Sequence, residues 1–290
     1  MTASILPADS ALFQTLSAAA IERRCVFFAG LPGVGKSLLL QQAAILALEA
    51  GRTVHLLQWD VARGPFETPA LLARYPETEG VTHAVIRKAA GLWARDAVAA
   101  WHGQHADPRS LLLGEVPLIG NRLIELVQQQ DDAAEALLAG PSSLFLVPVP
   151  SREVRAQIEA ARVREMADPT HERERANAIP QLVQALWEEV AAVGRALMLP
   201  EAAAAAEQPG QPLSFDPDLY GAVYSRLLRH RPAALLPVTE ALRVQASVYA
   251  GLDAVQDLVP TPAEVAGVMT AVERRPLADV EREVSDWFLV

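Results

Sequence analysis

The chain has 290 residues, a formal charge of −10 and 51% hydrophobic residues, ample for a sizeable core in one elaborated domain or two. An acidic chain with no visible basic stripe argues against a nucleic-acid surface, which needs such a stripe to neutralise phosphates. A single cysteine, Cys25, excludes an internal disulfide or a cysteine metal cluster, and the lack of a secretory leader or an apolar run of membrane-spanning length predicts a soluble, cytoplasmic protein with no membrane partner.

Residues 9–20 read as a leading helix. Cys25-Val26-Phe27-Phe28-Ala29 is an apolar run suited to a buried parallel strand, and Leu38 to Ala50, free of Gly and Pro, reads as a helix ended by Gly51. Between them lies Gly30-Leu31-Pro32-Gly33-Val34-Gly35-Lys36-Ser37, the G-x-x-x-x-G-K-[ST] pattern of a phosphate-cradling P-loop. Strand, glycine turn and helix supply the context that this motif requires. The glycines let successive N–H groups turn toward phosphate oxygens, and the helix adds the positive end of its dipole. Lys36 brings a full charge to the terminal phosphates, and Ser37 offers a hydroxyl to Mg²⁺. Lysine occurs elsewhere only at Lys88, so its presence here fits a specific need.

Thr53 to Gln58 reads as the second strand, with Trp59-Asp60 and Arg63 in a loop at its C-terminal end. Residues 66–75 and 82–102 read as helices, Leu111 to Glu115 as a third strand ending in an acid, Leu118 to Gln130 as a helix, and Leu144 to Val147 as a fourth strand. Ser151 opens an arginine-rich helix on which Arg155, Glu159 and Arg162 share a face, and Asp168-Pro169-Thr170-His171 interrupts its period, as a lid bend does. Residues 201–212 read as a linker, or their alanines continue the preceding helix, Ala233 to Leu236 reads as a weaker fifth strand, and Thr261-Pro262-Ala263-Glu264 as a capping box that starts a C-terminal helix. Alternating strands and helices imply a parallel sheet covered on both faces, with ligands beyond the C-terminal strand ends.

Acids on that rim decide which chemistry a P-loop performs. Asp60 is placed to take a proton from an attacking hydroxyl, or is a solvated loop acid or helix cap. Arg63 clamps an anionic acceptor or pairs with Asp60 or Glu67. Glu115, closing a buried strand, touches Mg²⁺ through water or positions the acceptor, and Arg122 one turn beyond reaches the same site or lies on the surface. The arginines of residues 151–180 either close over the triphosphate or form a solvated Glu/Arg face.

The order of these parts resembles the small-molecule kinase branch of P-loop proteins. Leu56-Leu-Gln-Trp-Asp60-Val-Ala-Arg63 is similar to the D-G-D-x-x-R of adenylylsulfate kinases, with Gln58 in place of the first acid. The middle of the chain resembles the zeta-toxin and chloramphenicol-phosphotransferase group, whose E-G-T is Glu115-Val116-Pro117 here. That resemblance implies a catalytic base at Asp60, an acceptor acid at Glu115, lid arginines at Arg162 (or Arg164) and Arg173 (or Arg175), and a sheet order of 2-3-1-4-5.

The expectation is therefore an α/β fold, a three-layer P-loop NTPase with a parallel sheet of about five strands. Residues 1–200 form the core, with a helical lid near 151–180, and residues 213–290 form a mostly helical extension that carries the fifth strand or stands apart from it. The expected activity is phosphoryl transfer from ATP with Mg²⁺ to a hydroxyl or phosphate of a small molecule. Gly30, Leu31, Pro32, Gly33, Val34, Gly35, Lys36 and Ser37 hold the nucleotide and Ser37 the metal. Lys36, Asp60, Arg162 and Arg173 serve catalysis, and Arg63, Glu115 and Arg122 the acceptor. Two alternatives stand beside it: a regulatory ATPase that uses water, and a nucleotide-binding protein without kinase activity that engages a protein partner.

Overall fold

The computed structural model of the protein describes residues 4–78, 80–167, 179–204, 212–242 and 255–290. Its centre is one all-parallel sheet, built from β1 (Cys25–Ala29), β2 (Thr53–Gln58), β3 (Ser110–Val116), β4 (Ser143–Pro150), β5 (Ala233–Val238) and β6 (Gln256–Asp257), in the order β5-β4-β1-β3-β2-β6. The expected order of five strands is found, and a sixth, two-residue strand extends it beside β2.

Buried strands of a parallel sheet carry apolar residues toward both faces, and β1 does so by alternation. Val26 and Phe28 meet Leu16 of α1 (Ala11–Glu22) and Leu39, Leu40 and Ala43 of α2 (Lys36–Glu49) in one apolar cluster. Cys25, Phe27 and Ala29 face the other cluster, with α5 (Ala84–Gln104), α8 (Pro180–Ala196), α10 (Pro217–Leu227), α11 (Pro262–Glu273) and α12 (Leu277–Ser285). Three layers result. The Cys25 thiol is fully buried and its pKa is pushed up to about 12 by that burial, which makes it an inert core residue. The capping box at Thr261 and Glu264 forms as expected. Among the described residues no helix is long and apolar enough to cross a membrane.

Asp60 belongs to a short helix, α3 (Trp59–Arg63), and not to a loop. Helix α4 (Pro69–Arg74) starts behind Thr68, whose side chain accepts from Leu71 N–H. Short α6 (Glu135–Ala139) precedes β4, and Arg-rich α7 (Arg152–Ala167) follows it. The expected linker 201–212 begins as α9 (Pro200–Ala204), and its residues 205–211 lie outside the described residues, as do Arg173, Arg175 and the Asp168-Pro169-Thr170-His171 bend.

The largest correction concerns residues 118–130, which form no α-helix. Leu118, Gly120, Asn121 and Leu123 all have φ between 58° and 64°, and a single 3₁₀ turn, Ile124–Leu126, follows. Arginines, three of them from elsewhere in the chain, take the carbonyls that a helix would use. Arg122 donates to Ile119 O, Arg87 to Gly120 O, Arg95 to Glu125 O and Gln128 O, and Arg231 to Leu126 O and Gln128 O. Arg95 and Arg231 are themselves buried and held by Asp132 and Glu135, with Arg231 Nη1 2.8 Å from Glu135 Oε1.

Removal of a partner from such a buried set leaves charges and carbonyls uncompensated. Arg95→Ala is expected to destabilise the fold by about 3–5 kcal/mol in denaturant titration. Hydrogen bonding from Arg95 holds Asp132 below the usual carboxylate range, and for Glu135 the bonds from Arg231 and Arg95 outweigh the upward effect of burial. Because both folded pKa values are depressed, their stabilisation is in place above about pH 5 and is lost as the pH falls through and below the ordinary carboxylate range. A melting temperature in Asp132→Asn with the wild-type acid slope between about pH 5 and 3 would contradict this.

Candidate functional site

The glycine loop curls where the sequence places glycines. Gly30, Gly33 and Gly35 have φ of 149°, 80° and 91°, conformations that side-chain-bearing residues adopt only under strain. Gly30 is also crowded: a Cβ there would lie 2.3 Å from the Tyr220 hydroxyl of α10. Gly35 caps α2 in the left-handed conformation and offers no side chain to the first-turn N–H groups, which therefore remain available to a ligand.

Register brings the acid to the loop. Glu115 pairs with Phe28 across β1 and β3, two residues before Gly30. Ser37 Oγ donates to Glu115 Oε1 at 3.2 Å, and Lys36 Nζ stands 3.5 Å from the same oxygen. The ammonium also donates to Leu31 O at 2.8 Å and is only 5% exposed. Burial lowers the Lys36 pKa, the Glu115 carboxylate opposes that shift, Arg162 adds to it, and Asp60 opposes it as well. All three expected charges thus act on the loop lysine.

Helix α7 lies against the loop. A Cβ on Gly33 would be 3.5 Å from Glu159 Cγ and 4.0 Å from Arg162 Nη1, and one on Gly35 would be 3.8 Å from Ile158 Cδ1. The helix is fastened at its start by Arg152 to Asp216 at 2.8 Å, and by Arg155, which pairs with Glu159 at 2.6 Å and stacks on Phe215 at 4.1 Å. Of the two lid arginines expected, Arg162 lies beside the loop and Arg173 falls outside the described residues.

Asp60 is largely exposed, at 71%, and accepts from Arg63 Nε at 3.2 Å. Arg63 also pairs with Glu67 at 2.5 Å. Arg122 is half-buried and not on a helix; burial lowers its pKa, and among the charges acting on it are Glu189, Arg63 and Asp60. The Asp60 charge opposes, as a minor contribution, the lowering of the Lys36 and Arg122 pKa values by burial.

Sequence reasoning missed Tyr220 against Gly30, the Tyr224 hydroxyl that donates to Pro117 O at 2.8 Å, and Arg87. Arg87, Gly91 and Arg95 fall in one i, i+4 row of a mostly apolar helix, a pattern that signals basic groups turned toward the interior. Among the described residues no group of three or more His, Cys, Asp or Glu is placed to hold a metal ion. Comparison with protein families, characterised proteins and solved structures found no significant match in any of the three.

The contact at Gly30 is testable alone. Gly30→Ala is expected to cost about 2–3 kcal/mol in urea unfolding, and Tyr220→Phe in that background to restore part of the loss. An unfolding midpoint that Gly30→Ala leaves unchanged would show that the two groups do not touch.

Proposed function

We propose that the loop 30–37 binds the phosphate tail of a nucleoside triphosphate with Mg²⁺, and that the protein transfers the terminal phosphoryl group to a small-molecule hydroxyl or phosphate. The observation that carries this reading is the meeting of Lys36, Ser37 and Glu115 at a loop whose three glycines have positive φ.

Each residue has a task set by its chemistry. Gly30, Gly33 and Gly35 keep the backbone close enough for N–H groups to reach phosphate oxygens. Lys36 exchanges its bond to Leu31 O for a phosphate oxygen, a stronger, charge-assisted partner. The Ser37 hydroxyl and the Glu115 carboxylate are adjacent hard oxygen donors, the type that Mg²⁺ selects when nucleotide phosphates supply the remaining ligands. The ion, when bound, masks charge between the last two phosphates.

Asp60 is the proposed base. An acceptor hydroxyl oxygen bonds to the γ-phosphorus, the bond from that phosphorus to the β,γ-bridging oxygen breaks, the nucleoside diphosphate leaves, and the hydroxyl proton passes to Asp60. Arg63 holds the carboxylate from the side. Arg162, on the helix that lies along the loop, is the proposed partner for the charge that spreads over the equatorial oxygens.

The test is binding and turnover measured side by side. Lys36→Ala should weaken Mg-ATP binding about tenfold or more in calorimetry. Asp60→Asn should leave that affinity within about threefold while lowering acceptor phosphorylation about 10²–10⁴-fold, read from γ-labelled ATP against a metabolite panel. Loss of label to water alone, unaffected by any acceptor, would replace the kinase reading with a hydrolase. No Mg-ATP binding by the wild-type chain would remove both.

A further inference from the structure

A cavity of about 390 Å³ opens between the start of α5, the left-handed loop after β3, α8 and α12, lined among others by Arg87, Gly120, Glu189, Glu281 and Trp287. Its size is that of a small-molecule site. Its polar groups converge: a Cβ on Gly120 would lie 2.8 Å from Arg122 Nη1, 3.3 Å from Arg87 Nη1 and 3.6 Å from Glu189 Oε1. Two guanidinium groups therefore stand side by side at a glycine whose φ of 61° and missing side chain keep the space open.

Among the described residues neither guanidinium has a carboxylate within ion-pair distance, and Arg87 Nε is buried without a hydrogen-bond partner. Glu189 lines the same cavity, accepts from Trp287 Nε1 at 2.9 Å, and its charge opposes the lowering of both arginine pKa values by burial. Two like charges this close and this desolvated, opposed by the single carboxylate of Glu189, are costly, and a further anion would offset that cost. Burial and the neighbouring Arg122 push the Arg87 pKa down to about 10 against the pull of Glu189, a value at which it is still charged at neutral pH.

The loop that builds the site is rigidly supported. Asn121 Nδ2 donates to Glu125 Oε1 at 3.3 Å, and Lys88 Nζ lies 3.0 Å from that oxygen, with Glu125 fully buried. Both lysines of the chain thus hold acids on elements that flank the two sites. Gly120, on the cavity wall, follows the end of β3 by four residues, so the cavity lies beyond the same strand ends as the glycine loop.

We propose that this cavity binds a small molecule through an anionic group, phosphate or carboxylate, seated on Arg87 and Arg122, with hydroxyl or amine groups turned toward Glu189 and Glu281. On the phosphoryl-transfer reading, on which this role rests, it is the acceptor site, and the C-terminal helices are its outer wall. An acceptor so held carries its own charge, and a neutral analogue of the same shape is a poor substrate.

Anion binding is measured by calorimetry in Lys36→Ala protein, in which the loop lysine no longer competes. Inorganic phosphate is titrated in one arm and malonate in the other, and the arm that binds identifies the anion. Adding Arg87→Ala should weaken that binding at least tenfold, and adding Ala84→Trp, which fills the cavity mouth and keeps both arginines, should do the same. If the Arg87 variant does not fold, Ala84→Trp decides. Binding unchanged by the variants, or no binding of either anion, overturns the proposal. Mg-ATP binding to the wild-type chain is scored separately: anion binding through Arg87 without nucleotide binding keeps the anion site and removes its acceptor role.

Discussion

The site depends on one constraint, the parallel register of β1 and β3, which sets Glu115 opposite Phe28 and so beside the turn that follows β1. One glycine, Gly114, makes that approach feasible. A Cβ at Gly114 would lie 2.3 Å from Phe27 Cδ1, and Phe27 stacks on Phe145 of β4 with ring centroids 4.7 Å apart. A larger residue at 114 would displace the aromatic pair that bridges β1 and β4. With that pair in place, Glu115 reaches Ser37 and Lys36, and the loop, its helix and the third strand become one unit.

Around this unit the remaining helices serve as supports for side chains. α5 lies under α11 and α12 and presents basic groups inward at three levels: Arg87 to the cavity, Lys88 to Glu125, and Arg95 to the clamp on Asp132 and Glu135. α10 sets Tyr220 against Gly30 and Tyr224 on Pro117 O, linking the start of the glycine loop to the loop after β3. The C-terminal region is therefore continuous with the rest, since β5 and β6 form the two edges of the sheet and α12 walls the cavity. α7 is the exception in composition, rich in charge, with Arg152 and Arg155 fastening its first two turns and Ile158, Glu159 and Arg162 lying on the loop.

Much of this was legible because it is local. The apolar run 25–29, the glycines and the Gly-free, Pro-free helix after them state β1, the turn and α2 directly, and an acid at the end of an apolar strand pointed to Glu115. Residues 118–130 misled because their helical pattern is overridden by partners remote in sequence, Arg87, Arg95 and Arg231, which capture the carbonyls. β6 carried no apolar signal, being a two-residue edge strand paired through His55 and Gln256 and through Leu56 and Asp257. The cavity was invisible for the same reason as the overridden helix: its groups come from positions 84, 87, 120, 189 and 281–287, and only the packing of α5, α8 and α12 brings them together.

The central claim is that Lys36, Ser37 and Glu115 form a phosphate and Mg²⁺ site. It is tested most directly by a crystal structure of the protein with Mg²⁺ and a non-hydrolysable ATP analogue. The account predicts the β- and γ-phosphates inside residues 30–37, with Lys36 Nζ moved from Leu31 O to a phosphate oxygen and the Ser37 hydroxyl on the ion. Nucleotide bound elsewhere, or a loop that keeps its Lys36–Leu31 bond with no phosphate under saturating analogue, would contradict it.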